Sequence, residues 1–203
     1  MSIQLHKRDL PDGLDLGPVV AIDTETMGLN LNRDRLCLVQ LSSGDGTAHL
    51  VQVDPAGPGA PNLARLLADD RILKLFHFAR FDIAALKRAF GVTARPVYCT
   101  KIASKLVRTF TDRHGLKDLV KDLANVDLSK QQQSSDWGAA ELTQEQMAYA
   151  ASDVLYLHTL KARLDQMLAR EGRTHLAAAC FAFLPFRAEL DLAGWADQDI
   201  FQH

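Results

Sequence analysis

A short apolar run that ends in two acids constrains this chain more than any other feature of its sequence. Residues Val19 to Thr24, VVAIDT, follow a Gly-Pro breaker and are typical of a buried strand. Because side chains alternate along a strand, Asp23 and Glu25 point to the same face. Two neighbouring carboxylates repel each other, and burial raises their pKa unless a cation lies between them. D-x-E pairs also occur on exposed strands, but the apolar neighbours of this pair favour a buried site for Mg²⁺ or Mn²⁺, which prefer oxygen ligands.

Two further acids lie in contexts that are ambiguous when each is taken alone. Asp82 falls in the first turn of a helix predicted over 80–90, where an acid often does no more than interact with the helix dipole. Asp153 follows Tyr149 by four residues, a spacing that places both side chains on one face of a late helix. Tyrosine at such a spacing is more often part of a core. Only the combination with the first pair makes a shared acidic site the better interpretation.

The order of the predicted elements indicates the fold. Three strands come first, and the second and third, over 35–43 and 47–53, form a hairpin around the turn at 44–46. Next come a helix over 63–68 that Asn62 is able to cap, a strand over 71–78, the helix over 80–90 and a short strand over 97–99. Helices over 101–110, 115–125 and 143–171 follow, the last broken near its end. An antiparallel meander continued by right-handed crossovers is the ribonuclease H-like architecture, so we predict an α/β fold with a mixed five-stranded sheet flanked by helices.

The whole chain, residues 1–203, is predicted to form one domain, because it shows no linker, internal repeat or low-complexity tract. Its tail, about 174–203, is rich in large apolar residues. Termini usually fray unless they pack on something. We therefore expect the tail to make contacts between copies of the chain, with packing on its own domain as the alternative.

Together the three motifs resemble those of a known family. D-T-E at the first strand, H-x-x-x-F-D ending at Asp82, and Y-x-x-x-D ending at Asp153 are similar, in order and rough separation, to the motifs of the DEDDy exonucleases. That family includes ribonuclease D and the proofreading domains of DNA polymerases. The resemblance implies a 3′→5′ exonuclease that releases nucleoside 5′-monophosphates with two divalent metal ions, Mg²⁺ or Mn²⁺, held by Asp23, Glu25, Asp82 and Asp153. An ordinary tyrosine has a pKa of about 10, so Tyr149 is expected to orient the attacking water, which the metal acidifies, and not to act as a free base.

Substrate contacts are predicted from residues beside the first two motifs. By resemblance, Thr26 and Leu29 touch the terminal 3′-hydroxyl and the last base, with a core position as an equal alternative for Leu29. Phe78, preceded by His77, stands where many relatives have asparagine. Its ring is expected either to stack on a base or to be the last buried residue of its strand.

Two polar segments supply the remaining candidates. Residues 130–137, KQQQSSDW, resemble the K-x-x-Q-x-S-D-W loop of ribonuclease D relatives. From this likeness Gln133 and Trp137 are predicted to lie near the substrate, with packing as the alternative for Trp137. Arg113 and His114, in the segment TDRHG, are able to bind phosphate, but solvated loop residues are the slightly preferred interpretation.

Over nearly its whole length the chain looks like nanoRNase C, a compact family among the ribonuclease D relatives. The likeness is carried by segments such as DTETMGL, CTKIASKL, KQQQSSDW, YAASDVLYLH and the tail LDLAGWADQDIF. The family implies a ring-shaped homo-octamer that degrades very short RNA, especially dinucleotides. Two features agree independently: a net charge of −2 leaves few contacts for a long phosphate backbone, and 203 residues leave no room for the C-terminal helical nucleic-acid-binding domains of full ribonuclease D.

Other functions are less well supported by the sequence. A general exonuclease on longer RNA or on DNA uses the same metal chemistry, so the acids do not separate it from a dinucleotide-specific enzyme. A catalytically dead, RNA-binding or scaffolding member of the fold is disfavoured, because all five expected positions are filled. The dispersed cysteines, Cys37, Cys99 and Cys180, are typical of reduced thiols and argue against a disulfide framework or a zinc site. Without a signal-peptide core or a run of ~20 apolar residues, we expect a cytoplasmic protein with no membrane contact.

Overall fold

The computed structural model describes residues 2–54, 57, 59–129, 131–132 and 134–203 of the chain. Its strands are β1 (Ser2–Lys7), β2 (Val19–Thr26), β3 (Leu36–Ser42), β4 (Thr47–Gln52), β5 (Leu73–Phe76) and β6 (Val97–Cys99). Its helices are α1 (Pro61–Ala68), α2 (Ala79–Phe90), α3 (Thr100–Val107), α4 (Leu116–Ala124), α5 (Gln144–Leu155), α6 (Leu157–Arg170) and α7 (Thr174–Leu190), followed by a π-helical turn, Asp191–Trp195. The strands form one mixed sheet in the order β1-β4-β3-β2-β5-β6.

The centre of the sheet is the predicted antiparallel meander. Strand β3 pairs antiparallel with β2 on one side and with β4 on the other, and β5 and β6 continue the sheet in parallel beyond β2. Every residue of β3 is buried, as expected for a strand with neighbours on both edges and helices above the sheet. The predicted α/β, ribonuclease H-like class is therefore confirmed.

The sheet has one strand more than the five that the sequence predicts. Strand β1 pairs in parallel with β4, from Ser2 opposite Thr47 to Lys7 opposite Gln52. Its side chains are exposed or half-buried, so no clear apolar alternation marks this segment as a strand. The pairing itself makes it one, because β4 satisfies the backbone N–H and C=O groups along one edge of the segment.

The long helix predicted over 143–171 is two helices. Helices α5 and α6 are separated at Tyr156, so the break lies near the middle and not near the end as predicted. The predicted start is confirmed, because Thr143 forms a capping box with Gln146: its hydroxyl accepts the Gln146 N–H and the Gln146 side chain accepts the Thr143 N–H.

Helix α1 is capped from a distance. The side chain of Asn62 does not cap it, since the helix already begins at Pro61. Instead the carboxylate of Asp9 accepts the backbone N–H groups of Asn62 and Leu63 at 2.8 and 3.0 Å. The predicted local cap is wrong because an acid from a loop far away in the sequence reaches these groups first.

The apolar tail packs partly on its own chain. Helix α7 lies against α2 and α3. Its buried side chains are Ala177, Phe181, Leu184 and Ala188. Other large apolar side chains of the tail remain accessible, among them Phe186, Trp195, Ile200 and Phe201. Within the described ranges of the chain, no helix combines the length and the apolar character needed to cross a membrane.

Candidate active site

Three carboxylates meet at the carboxyl end of β2. Asp23 and Glu25 come from alternate positions of that strand, and Asp153 comes from α5, which packs on β2 and β3. One oxygen of each carboxylate lies within 4.8 Å of the corresponding oxygens of the other two. Asp23 and Glu25 thus share one face of β2, as the alternation of side chains along a strand predicts. Helix α5 adds Asp153 as the third acid.

Burial raises the pKa of every acid in this group, and repulsion by neighbouring carboxylates raises the pKa of Glu25 and Asp153 further. Burial raises the pKa of Asp23 to about 7. The pKa of Glu25 rises to about 10, through burial first and then through the charges of Asp23, Asp153 and Asp82. Burial, followed by the charges of Asp23 and Asp82, also raises the pKa of Asp153 well above its usual value. These shifts show that the carboxylates are costly to ionise together.

No lysine or arginine forms an ion pair with Asp23, Glu25 or Asp153 in the part of the chain that the structure describes. The negative charge is therefore not compensated by the protein itself. A divalent ion bound between the oxygens would remove the repulsion, and hard carboxylate oxygens are the donors that Mg²⁺ and Mn²⁺ prefer. The residues present fit the metals that the sequence predicts.

Asp82, in the first turn of α2, lies beside this group but is not one of the three carboxylates whose oxygens lie within 4.8 Å of one another. Its Oδ1 accepts a hydrogen bond from the Thr24 hydroxyl at 2.6 Å. Burial, followed by the charge of Asp23, raises the pKa of Asp82 well above its usual value. Thr24 stands between Asp23 and Glu25, so its side chain leaves the opposite face of β2. Strand β2 therefore supplies the two acids Asp23 and Glu25 and also the Thr24 hydroxyl that holds Asp82. The role of Asp82 thus goes beyond an interaction with the helix dipole.

A buried glutamine on β3 lies next to Asp23. Gln40 is opposite Asp23 in the antiparallel register and has no exposed surface. Its Nε2 donates to Asp23 Oδ2 at 3.4 Å, while its Oε1 has no partner among the described residues. Neither Gln40 nor Thr24 is predicted from the sequence. A glutamine inside the apolar run LCLVQL is a signal that would have indicated Gln40, whereas a threonine in a strand is ordinary.

Tyr149 lies one helical turn before Asp153, as their spacing predicts. Burial raises the pKa of Tyr149, and the charges of Asp153, Glu25 and Asp23 raise it further, so its hydroxyl keeps its proton at neutral pH. Its ring packs against Trp137, with 6.0 Å between ring centroids and 36° between ring planes. Trp137 is only 3% exposed. This burial favours the packing role over a substrate contact for Trp137.

The loop after β2 presents a leucine to solvent. Leu29 is 85% exposed, so the alternative that it is a core leucine is wrong. The hydroxyl of Thr26 donates to the carbonyl oxygen of Gly28 at 2.5 Å and holds the turn that leads to it. An accessible apolar side chain four residues after Glu25 is suited to contact a base or sugar.

His77 and Phe78 form the link between β5 and α2. Phe78 has a left-handed backbone (φ 67°) and is 48% exposed, so it is not the last buried residue of the strand. Lys101 Nζ lies 4.3 Å from the centroid of its ring, and an exposed ring beside a cation is suited to a nucleobase. His77 Nδ1 is 2.9 Å from Thr100 Oγ1. Burial, followed by the charge of Lys101, lowers the pKa of His77 to about 3, so His77 is neutral at physiological pH.

Arg113 and His114 make their described contacts outside this site. Gln133 lies outside the described residues. Arg113 pairs with Asp118 at 2.7 Å, and Ser104 Oγ lies 2.8 Å from His114 Nδ1. These contacts support the preferred interpretation of Arg113 and His114 as residues of the surface loop.

The comparisons with known proteins point in one direction. Residues 8–169 match a family described as 3′–5′ exonuclease. Two solved structures of Brucella melitensis NrnC are similar along the chain. The one with bound Mg²⁺ is 58% identical, with a TM-score of 0.96 and full coverage of both chains. The one bound to pGG is 59% identical, with a TM-score of 0.97 and coverage of 100% of this chain and 99% of the other. The chain belongs to the NrnC family of ribonuclease D-like 3′–5′ exonucleases.

The relation of this NrnC-family chain to ribonuclease D itself is more distant. It is 38% identical over 170 residues to the ribonuclease D of Gluconacetobacter diazotrophicus, a match that covers 82% of the chain and 42% of that protein. The chain thus spans about two fifths of the length of such relatives. The family predicted from the sequence, nanoRNase C among the ribonuclease D relatives, is confirmed.

Proposed function

We propose that this protein is a metal-dependent 3′→5′ exoribonuclease that releases nucleoside 5′-monophosphates and prefers dinucleotides or very short RNA. The observation that carries the proposal is the uncompensated group of half-buried acids, Asp23, Glu25 and Asp153, with the buried Asp82 beside it. A relative that is 59% identical binds pGG, which is a dinucleotide by its notation, and a relative that is 58% identical binds Mg²⁺.

The four acids are proposed to hold two divalent ions, Mg²⁺ or Mn²⁺. When bound, such ions acidify a water and stabilise the charge that develops on the leaving 3′-oxygen. The chain contributes the fixed geometry: Thr24 holds Asp82, and Gln40 contacts Asp23. Chelation with EDTA is expected to abolish hydrolysis, and Mg²⁺ or Mn²⁺ is expected to restore it.

Tyr149 is proposed to orient the attacking water. Its raised pKa keeps the hydroxyl protonated, so it acts as a hydrogen-bonding group and not as a base. Trp137 supports the ring from one side through their tilted contact.

The substrate is proposed to lie between accessible side chains of the segments that follow the first two motifs. Leu29 and Phe78 offer apolar surface to the bases. Thr26 and the neutral His77 are proposed to contact sugar hydroxyl groups, and Gln133 is proposed to make a further polar contact with the substrate. With a net charge of −2 the chain gains little affinity from added phosphates, which favours short substrates.

The same chain is proposed to act in the cytoplasm as a ring-shaped homo-octamer. The accessible apolar side chains of the tail, Phe186, Trp195, Ile200 and Phe201, supply surface for such contacts. Light scattering is the direct measurement: a particle of about the 22.4 kDa monomer mass at micromolar concentration contradicts the assembly.

The decisive experiment compares kcat/KM for 5′-labelled RNAs of two, three, five, seven and twenty nucleotides at one salt concentration, with the matching DNAs in parallel. A steep decrease beyond two nucleotides is expected for RNA. A flat or rising series identifies a general exonuclease of the ribonuclease D type, and no hydrolysis at any length identifies a scaffolding protein. Asp153→Asn, prepared identically, serves as the control for contaminating nucleases.

A further inference from the structure

A partly buried ion pair joins the C-terminal segment, residues 191–203, to the helix that carries Asp82. Arg80 donates through both Nε and Nη2 to the carboxylate of Asp191, with 2.7 Å between Nη2 and Oδ1. The side chain of Asp191 is 4% exposed. Arg80 belongs to the first turn of α2, two residues after Phe78 and two before Asp82. The C-terminal segment therefore contacts the part of the helix that faces the candidate active site.

A second arginine fixes the segment around Asp191. Arg187 of α7 lies 3.0 Å from Asp191 Oδ1 and donates to the carbonyl oxygens of Trp195 and Ala196 at 2.8 and 3.0 Å. Arg80 Nη2 donates to the same Ala196 oxygen. Because one carboxylate and one carbonyl are shared by two guanidinium groups, the segment and the first turn of α2 are held in one network.

The residue that precedes α2, Phe78, has an unusual backbone conformation. It provides no side-chain cap for the helix, and its left-handed backbone (φ 67°) is one that a residue with a Cβ rarely adopts. Such a conformation persists only where the surroundings impose it. The contacts on this turn include the Thr24 hydroxyl on Asp82 and the Asp191 carboxylate on Arg80.

The segment and the candidate site also share a cavity. A space of about 570 Å³ lies between them, with Phe78 and Lys101 on one side and Asp197 and Phe201 of the segment on the other. A displacement of the segment would therefore change both the position of the helix turn and the space beside the Phe78 ring.

We propose that Arg80 and Asp191 are positioning residues, through which the C-terminal segment holds the first turn of α2 so that Asp82 and Phe78 meet the metal and the substrate. The proposal rests on the proposed function in so far as Asp82 is a metal ligand. A displacement of a ligand by about 1 Å is enough to lower a rate by roughly 100-fold, so a contact that does not touch the substrate is able to control turnover.

The test uses two substitutions that each neutralise one acid paired with a basic side chain of α2. Asp191→Asn keeps the size of the side chain and removes the charge that Arg80 and Arg187 contact. Glu189→Gln breaks the Lys87–Glu189 pair, which joins α2 to α7 farther from Asp82 and is the matched control. Both are measured as full-length protein, at a temperature where circular dichroism shows them folded.

Three readouts separate positioning from plain stability. In Asp191→Asn, kcat/KM on a dinucleotide is expected to decrease between about 10- and 100-fold, and the rise of Tm on addition of Mn²⁺ is expected to shrink. Amide hydrogen exchange in peptides that cover 78–82 is expected to become faster. Glu189→Gln is expected to leave all three within about twofold of the original protein.

A lower Tm with unchanged kcat/KM, Mn²⁺ response and exchange over 78–82 would overturn the proposal and leave the pair a structural one. If Asp191→Asn does not fold, Arg80→Lys decides in its place, because lysine keeps the charge but loses the two-pronged geometry. The exchange readout needs neither metal nor substrate. It therefore reports on the positioning contact even if the original protein shows no Mn²⁺ response, which would be a failure of the proposed function alone.

Discussion

Two regions of this molecule bury charge in opposite ways. At the end of β2 the carboxylates of Asp23, Glu25 and Asp153 lie within 4.8 Å of one another, with no lysine or arginine paired to them among the described residues. At the start of the C-terminal segment the carboxylate of Asp191 is held between Arg80 and Arg187. In the second region two arginines offset the free-energy cost of removing the carboxylate from water. In the first region no described lysine or arginine offsets that cost.

The difference shows how a binding site is distinguished from a structural contact. Buried charge without a partner lowers the stability of the fold, so it is expected where a ligand supplies the missing charge. Buried charge with partners is destabilising only when one partner is removed. Substitution of an acid in the first region should therefore leave the stability of the fold equal or higher, whereas substitution of Asp191 should lower it.

The largest effect is expected from the acid group. Asp23→Asn removes a proposed metal ligand, and loss of several kcal/mol of charge stabilisation corresponds to a decrease of roughly 1000-fold in kcat. Because the substitution also removes a repelling charge, Tm in EDTA is expected to stay equal or to increase. Thermal unfolding in EDTA beside a dinucleotide assay checks both parts. A marked loss of Tm would place Asp23 with the structural charges and remove the contrast with Asp191.

Tyr149→Phe is expected to have the next largest effect. It removes only the hydroxyl, so the packing on Trp137 and the metal-induced rise of Tm should persist. A water that is no longer oriented should lower kcat by roughly 100-fold with little change in KM. Steady-state kinetics on a dinucleotide measures kcat and KM separately. A variant with the original kcat would show that the tyrosine is a packing residue.

Smaller effects are expected where a neutral side chain holds an acid. Thr24→Val and Gln40→Leu each remove one hydrogen bond to a carboxylate and keep most of the side-chain volume. Loss of such a bond corresponds to about a tenfold increase in the Mn²⁺ concentration needed for half-maximal activity. The control is Ser42→Ala, a buried polar residue of β3 whose hydroxyl donates to the Thr47 carbonyl. Equal shifts in the control and the two variants would show that the effect is general to the sheet.

The smallest effect concerns a buried cation that the protein surrounds with carbonyl groups. Lys74 has no exposed surface and donates to the carbonyl oxygens of Asp69 and Arg95 at 2.5 and 2.6 Å. Burial lowers the pKa of Lys74 to about 8, below its usual 10.5. Between these values the unfolded chain binds more protons than the folded one, so this lysine makes the free energy of unfolding rise with pH from about 8 to 10.5.

In Lys74→Met this pH-dependent contribution should be absent. Urea denaturation at pH 8 and pH 10 is expected to show a smaller increase in the free energy of unfolding than the original protein shows. Lys121→Met, at a lysine whose side chain is 55% exposed, controls for the loss of a positive charge. An identical pH dependence in the original protein and Lys74→Met would mean that burial does not control the titration of this lysine.

Features with a short repeat in the sequence were predictable from it. The period of two placed Asp23 and Glu25 on one face of β2, and the spacing of four placed Tyr149 one turn before Asp153. The alternating strands around the Gly44–Gly46 turn predicted the meander for the same reason. In each case, local backbone geometry alone determines which side chains share a face.

The tertiary structure decided the contacts between segments that no local pattern relates. It added β1 to the sheet, because β4 has an edge to pair with, and it capped α1 with Asp9. It also turned Leu29 to solvent. Most consequentially for function, it brought Thr24 to Asp82 and Asp191 to Arg80, residues 58 and 111 positions apart. A hydrogen bond between such distant residues depends on how the helices pack on the sheet, and the sequence around either partner carries no period that records it.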